Sequence, residues 1–152
     1  TLRKQTFALQ RTLKSSAFQN DIRDALLRYT RALDRIDYEH TIIELWSILE
    51  SLTLTSSYDD VVRRAASIYA NQDEAHAVID HLRLRRNEIV HRTRSFTDSE
   101  SLVFQTKSMV EDLLAKYIGM FSRYFGTKAE VAAFLDLTRD KRMLKIGQQF
   151  LR

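Results

Sequence analysis

Cysteine and proline are absent from this 152-residue chain, and glycine occurs only three times. Without cysteine, disulfides and thiolate metal sites are excluded, and a cytoplasmic location is favoured. With no proline and so little glycine, few positions can interrupt a helix or form a left-handed turn. No apolar run approaches the roughly 18–20 residues that cross a bilayer, so no contact with a membrane is expected.

The composition is that of a globular domain with a modest excess of positive charge. Hydrophobic residues make up 44% of the chain and charged residues 29%, which is typical of one folded domain rather than a disordered segment. The net charge is +4. Most of the basic residues are arginines, whose guanidinium groups bind phosphate through two parallel hydrogen bonds. This balance permits an anionic partner without requiring one.

Apolar residues recur at three- and four-residue steps along most of the chain, which predicts an all-α protein. The expected helices cover residues 18–36, 37–54, 58–70, 71–92, 100–125 and 128–137. Their short connections favour an up-and-down bundle of four to five main helices with short C-terminal helices. The expected buried face of the first helix comprises Phe18, Ile22, Leu26, Tyr29, Leu33 and Ile36.

Three regions are distinguished along the chain. Residues 1–15 contain a strand-like stretch at 6–14 and are interpreted as the end of a preceding segment or a linker in a longer protein. Residues 16–126 form the predicted bundle, and 127–152 are interpreted as a C-terminal helical extension.

The stretch RLRRNEIVHR, residues 83–92, crowds four arginines around one histidine, with a single glutamate to offset them. On an ideal helix, residues five apart lie about 140° around the axis, and residues four apart about 40°. Asn87 and His91 therefore share a face, with Arg86 at its edge. One helix supplies at most half of a phosphate-sized pocket, and a second copy related by a two-fold axis would supply the other half.

The order of these three residues resembles the signature of the HEPN superfamily of ribonucleases, in which an arginine and a polar residue precede a histidine. The match lies at Arg86, Asn87 and His91. The segments 45–52 and 61–69 resemble the flanking segments of the ApeA-like branch, so the resemblance extends over most of the chain. Arg92 departs from the pattern, because many members carry a small residue there.

The resemblance implies a homodimeric endoribonuclease that needs no metal and no cofactor, with two motifs meeting across the dimer interface. The RNA 2′-hydroxyl would attack the adjacent phosphate and leave a cyclic phosphate. His91 would transfer protons, because an imidazole titrates near neutral pH. Arg86 would hold the phosphate and stabilise the charge of the transition state, and Asn87 would orient the histidine or the phosphate.

Other residues have both a functional and a simpler interpretation. Glu50 could position Arg86 or His91, or it could be an ordinary surface glutamate. Binding of the RNA backbone is the functional interpretation of Arg83, Arg85 and Arg92, and a solvated basic face is the simpler one. His91 alone could merely favour the negative end of a helix. A core position is expected for Trp46, and a core or dimer-interface position for Tyr117, Phe121 and Tyr124. No role is assigned to His40, His76 and His81.

The function expected from the resemblance is that of a defence or toxin-type ribonuclease. A nuclease that cuts cellular RNA must be inhibited until it is needed, which implies a regulatory domain or an antitoxin partner. The alternative is a non-catalytic HEPN-like module for dimerisation or RNA binding. A plain helical interaction domain is a third possibility, in which the motif would be a coincidence.

Overall fold

The computed structural model describes residues 2–92, 97–137, 141 and 148, and its described part is helical without a strand. The helices are α1 (Leu2–Ser15), α2 (Gln19–Leu33), α3 (Tyr38–Thr53), α4 (Tyr58–Ala66), α5 (Gln72–Val90), α6 (Ser99–Lys116) and α7 (Lys128–Asp136). Helix α6 continues through a π-helical turn, Tyr117–Phe121, into a last turn, Ser122–Tyr124. The predicted all-α helical bundle is confirmed. The rest of the predicted extension beyond α7 lies largely outside the described residues.

Helix α3 is the centre of the bundle and packs against α2, α4, α5 and α6. Its buried side chains point to several sides of the helix, as expected for a helix surrounded by others. Trp46 is fully buried, which confirms its predicted core position. Asp37 caps the start of the helix, and its carboxylate accepts a hydrogen bond from the Glu39 amide at 3.0 Å.

The prediction of a strand-like stretch at residues 6–14 is wrong, because these residues belong to α1. A strand needs a neighbouring strand for its backbone donors and acceptors, and the described residues supply none. A helix satisfies most of these groups internally. The hydroxyls of Thr6 and Thr12 add bonds to carbonyls four residues earlier, and Leu13 packs against the core.

The buried face of α2 differs from the predicted one. Leu26, Leu33 and Ile36 are exposed, and the last of these retains 97% of its accessible surface. Ala25 and Ala32 are buried in their place. Small side chains allow α2 to lie close to α3, which turns the larger residues away from the core.

The end of α6 adds an aromatic cluster to the core. Tyr117 and Phe121 are buried with their rings edge to face at 4.9 Å, so of the two predicted locations, core and dimer interface, these residues occupy the core. The Tyr117 hydroxyl donates to the Leu52 carbonyl at 2.7 Å, and burial raises the pKa of this phenol. A buried phenol with a carbonyl acceptor stabilises the packing of α6 on α3.

Candidate functional site

The arginine–histidine motif occupies the C-terminal end of α5. The helix ends at Val90, and His91 is the residue that caps it. Arg92 follows with a φ of 52°, in the left-handed region, and its amide donates to the Ile89 carbonyl at 3.1 Å. A residue with a β-carbon costs about 1–2 kcal/mol in this conformation. Arg92 therefore turns the chain away from the helix under local strain.

A cleft of about 680 Å³ lies between the start of α3 and the end of α5, and is named the α3–α5 cleft. Arg86 shares one face of α5 with the residues three and four positions later, and this face forms one wall. The opposite wall comes from the first turns of α3. The lining residues are Asp37, Glu39, His40, Ile43, Arg86, Ile89, Val90 and Arg92.

Arg86 is held in the cleft by two contacts to one end of its guanidinium group. Its Nη1 donates to the Tyr58 hydroxyl at 2.9 Å and to Asn87 Oδ1 at 3.2 Å. The guanidinium carbon also lies 5.4 Å from the centre of the Tyr58 ring, within the range of a cation–π contact. Tyr58 is the first residue of α4, so the arginine links α4 to α5.

The other edge of the same guanidinium group has a different environment. Arg86 Nε is buried and has no acceptor among the described residues. A buried donor without an acceptor costs about 1–3 kcal/mol and is uncommon in folded proteins. The Nε and Nη2 donors lie on the edge of a guanidinium group that binds two oxygens of a phosphate or carboxylate. The hydrogen bonds to Tyr58 and Asn87 both use Nη1 of Arg86, and neither uses the edge formed by Nε and Nη2.

His91 is exposed and is not among the residues that line the cleft, although its neighbours Val90 and Arg92 are. The side-chain oxygen of Asn87 accepts a hydrogen bond from Arg86. Its backbone carbonyl accepts one from the His91 amide at 3.0 Å. The side-chain partner of Asn87 is therefore the arginine and not the histidine.

Of the remaining predicted site residues, three have partners outside the cleft and one lines the cleft. Glu50 accepts a hydrogen bond from Trp46 Nε1 at 3.1 Å, so its observed partner is a core tryptophan. Acidic residues on α5 itself pair with two of the arginines: Arg83 Nε lies 2.7 Å from Asp80, and Arg85 lies 3.5 Å from Glu88. Arg92, by contrast, reaches the cleft.

Two contributors to the site were missed by the sequence analysis. Tyr58 stands at the start of α4, 28 residues before Arg86, and no local spacing connects the two. His40 lines the cleft and its Nδ1 lies 2.8 Å from Asp37 Oδ2. An aspartate at a helix start with a histidine three residues later was the available signal, since residues at that spacing meet on one face.

The Asp37–His40 pair changes the titration of the carboxylate. The pKa of Asp37 is lowered, first by the hydrogen bond from His40 and then by the Glu39 amide. The ionised carboxylate therefore persists beside the imidazole over the pH range in which most enzymes work. A carboxylate on Nδ1 also holds the ring in one orientation.

The described residues contain no group of three histidine, cysteine or acidic side chains placed to hold a metal ion. None of their helices combines the length and the apolar character needed to cross a membrane.

Comparison of the chain with protein-family models, with curated proteins and with solved structures finds no match.

Proposed function

We propose that this chain is a metal-independent endoribonuclease of the HEPN type, which cuts RNA through attack of the 2′-hydroxyl on the adjacent phosphate. The observation that carries the proposal is the state of Arg86. It lines an open cleft and is fixed through Nη1 by Tyr58 and Asn87. A guanidinium group that is already held in one position at a cleft is prepared to bind a phosphate oxygen there.

The proposed reaction assigns one role to each motif residue. Arg86 binds the scissile phosphate and stabilises the negative charge of the transition state. His91 removes the proton from the 2′-hydroxyl, which then attacks the phosphorus. Asn87 fixes the arginine through the contact already described. The products carry a 2′,3′-cyclic phosphate and a 5′-hydroxyl, and DNA is not cut because it lacks the nucleophile.

The proposal includes a homodimer, because Arg86 and His91 do not meet around the α3–α5 cleft of one chain. A second copy would bring its own His91 to the arginine across a two-fold axis. Exposed apolar side chains near the cleft support this arrangement. Ile36 is 97% exposed beside the first turn of α3, and Val90 is exposed on the cleft wall.

The conformation of Arg92 also supports the resemblance to the HEPN family. The family commonly carries a small residue after the histidine, and here that position has a φ of 52°. Among small residues, glycine is favoured in this conformation because it has no β-carbon. In this chain the position carries an arginine instead, which places a second cation in the cleft. We include Arg92 among the groups that bind the RNA backbone.

A cytoplasmic defence or toxin-type role follows from the same proposal. A ribonuclease that cuts cellular RNA requires restraint by a regulatory domain or an antitoxin partner. Such a partner would act most directly by covering the α3–α5 cleft or by separating the two copies.

The experiment that tests the proposal compares a labelled RNA oligonucleotide with the DNA oligonucleotide of the same sequence, both in excess EDTA. We expect cleavage of the RNA alone, and products whose cyclic-phosphate ends are opened by acid and then removed by a phosphatase. Cleavage of the DNA, or 5′-phosphate ends on the RNA products, would contradict attack by the 2′-hydroxyl.

The alternative is a non-catalytic dimerisation or RNA-binding module. It is favoured by the position of His91, which is exposed and lies off the cleft. Salt-sensitive RNA binding without any cleavage products, by a protein shown to be dimeric, would support this alternative.

A further inference from the structure

His40 is the imidazole that shares a cleft with Arg86 in a single chain. It stands in the first turn of α3, on the wall opposite Arg86, and its side chain is 64% exposed. Its Nδ1 is engaged by Asp37 at 2.8 Å. The other ring nitrogen, Nε2, is the atom that remains for a ligand in the cleft.

We propose that His40 is a second proton-transfer group of the site and donates its proton to the 5′-oxygen that leaves the phosphorus. This inference rests on the proposed ribonuclease function. Attack by a 2′-oxygen requires one group to accept a proton and another to give one, because the leaving alkoxide is strongly basic. Each motif supplies one histidine, which the proposed reaction uses as the base, and the imidazole that lines the cleft with Arg86 is that of His40.

The position of His40 suits the role of proton donor to the leaving oxygen. Asp37 engages Nδ1 at 2.8 Å and fixes the ring, which leaves Nε2 for a hydrogen bond in the cleft. The other charged groups that line the cleft are Glu39, Arg86 and Arg92, so the acidic and basic side chains balance in number. His91 is already assigned as the base, so the acid is the role that remains for His40.

The step balances in atoms and charge. The bond between O2′ and phosphorus forms while the bond between phosphorus and O5′ breaks. The proton of the 2′-hydroxyl passes to His91, and the proton on His40 Nε2 passes to O5′. The products are the cyclic phosphate and the 5′-hydroxyl, and both imidazoles return to their starting states by proton exchange with water.

The test uses two substrates that differ only in the leaving group. The first is an RNA oligonucleotide, whose leaving alkoxide needs a proton. The second is a set of the four nucleoside 3′-(4-nitrophenyl phosphates), whose nitrophenolate leaves without one. The parent protein is compared with His40→Ala and His91→Ala, and with His76→Ala as the control at an exposed histidine of α5 outside the cleft.

We expect His40→Ala to lower RNA cleavage by about 100- to 1,000-fold and to change cleavage of the aryl esters by less than about threefold. His91→Ala should lower both, because both substrates need the base. His76→Ala should change neither. All variants are checked for circular dichroism and melting temperature, and the exposed position of His40 makes a loss of folding from this change unexpected.

Three results would overturn the inference. One is a His40→Ala protein that cuts RNA at the parent rate. Another is an equal loss on both substrates in a folded variant, which would make His40 a positioning residue or the base. If the parent cuts neither substrate, the ribonuclease proposal falls together with this one, whereas the first two results leave that proposal intact.

Discussion

The Tyr58 hydroxyl accepts a hydrogen bond from Arg86 Nη1 at 2.9 Å and thereby connects the first residue of α4 to the last turns of α5. The contact fixes the direction in which the guanidinium group enters the α3–α5 cleft. In the proposed site, preorganisation of this arginine is part of its contribution, because its side chain need not be ordered when the phosphate binds.

Substitution Tyr58→Phe removes the acceptor and retains the ring. We expect RNA cleavage to fall about tenfold, because an arginine that is no longer held must be ordered when the phosphate binds. Stability should change by less than about 0.5 kcal/mol at this exposed position. Tyr38→Phe, at the exposed first residue of α3, is the matched control. An unchanged cleavage rate would mean that Tyr58 does not position the arginine.

Substitutions of Glu50 separate its contact with Trp46 from a role in the site. Glu50→Ala removes the acceptor of the Trp46 indole and should destabilise the fold by about 1–2 kcal/mol. Glu50→Gln keeps an acceptor oxygen, so both stability and RNA cleavage should stay close to the parent values. Urea denaturation and the cleavage assay measure the two effects. A large loss of cleavage in folded Glu50→Gln would instead place this residue behind Arg86 or His91.

The left-handed conformation of Arg92 predicts opposite effects on folding and on binding. Arg92→Gly should stabilise the fold by about 0.5–1 kcal/mol, because glycine adopts this conformation without strain. It should also weaken RNA binding and lower the slope of log K against log salt by about 0.7. Arg92→Lys keeps both the charge and the backbone strain, so neither the stability of the fold nor the salt slope of RNA binding should change. Parent-like salt dependence in Arg92→Gly would exclude a phosphate contact by Arg92.

Asp136 joins the end of α7 to α4 and predicts an acid-sensitive contribution to stability. Its carboxylate accepts hydrogen bonds from Arg64 Nε at 2.8 Å and Nη2 at 3.0 Å, and it lies 2.8 Å from Arg63 Nη1. These arginines, Arg64 first, lower the pKa of Asp136. The folded pKa lies below the unfolded value near 3.8, so the contribution is present above pH 3.8 and is lost as the pH falls through the folded pKa.

Asp136→Asn should therefore lower the free energy of unfolding by about 1 kcal/mol at pH 7, a value that allows for the partial exposure of the pair. The difference from the parent should shrink below pH 3.8. Asp60→Asn, in a more exposed pair with Arg63, is the control and should cost less than about 0.5 kcal/mol. If Asp136→Asn lowered the free energy of unfolding by the same amount at pH 7 and at pH 3, this account would be contradicted.

A composite site predicts that two inactive variants restore one another. When Arg86→Ala and His91→Ala proteins are mixed and allowed to exchange subunits, each mixed dimer holds one intact arginine from one copy and one intact histidine from the other. We expect cleavage to reappear at up to about a quarter of the parent rate, which follows from random pairing and one intact site in two. Co-purification of the two variants through different affinity tags confirms the mixed dimer. A mixed dimer without activity would contradict an arrangement in which these two residues meet across the interface.

The helical fold was predictable because helix period and burial agree along most of the chain. Trp46 and its neighbours on α3 repeat at helical spacing and are buried. The face of α2 was not predictable from the same rule, since Leu26 and Ala25 are adjacent and periodicity cannot decide which one meets α3. The choice depends on how closely the two helices approach, which is a property of the assembled bundle.

The candidate site was predictable only where its residues are close in sequence. Arg86, Asn87 and His91 lie on one helix end, and their spacing drew attention to it. Tyr58 and His40 reach the same region through tertiary packing, from α4 and α3. Tyr58 and His40 stand 28 and 46 positions before Arg86, and proximity over such separations leaves no periodic signal in a single sequence, so these two emerged only from the fold.

The most direct test of the central claim is cleavage of a labelled RNA in EDTA by the parent protein, Arg86→Lys, Arg86→Ala and His91→Ala. Folding and dimerisation are measured on each protein. The account predicts cleavage by the parent, a loss of about 100-fold or more in both alanine variants, and poor rescue by lysine, which cannot bind phosphate through two parallel bonds. Equal cleavage by the parent and by both folded alanine variants would contradict the assignment of Arg86 and His91.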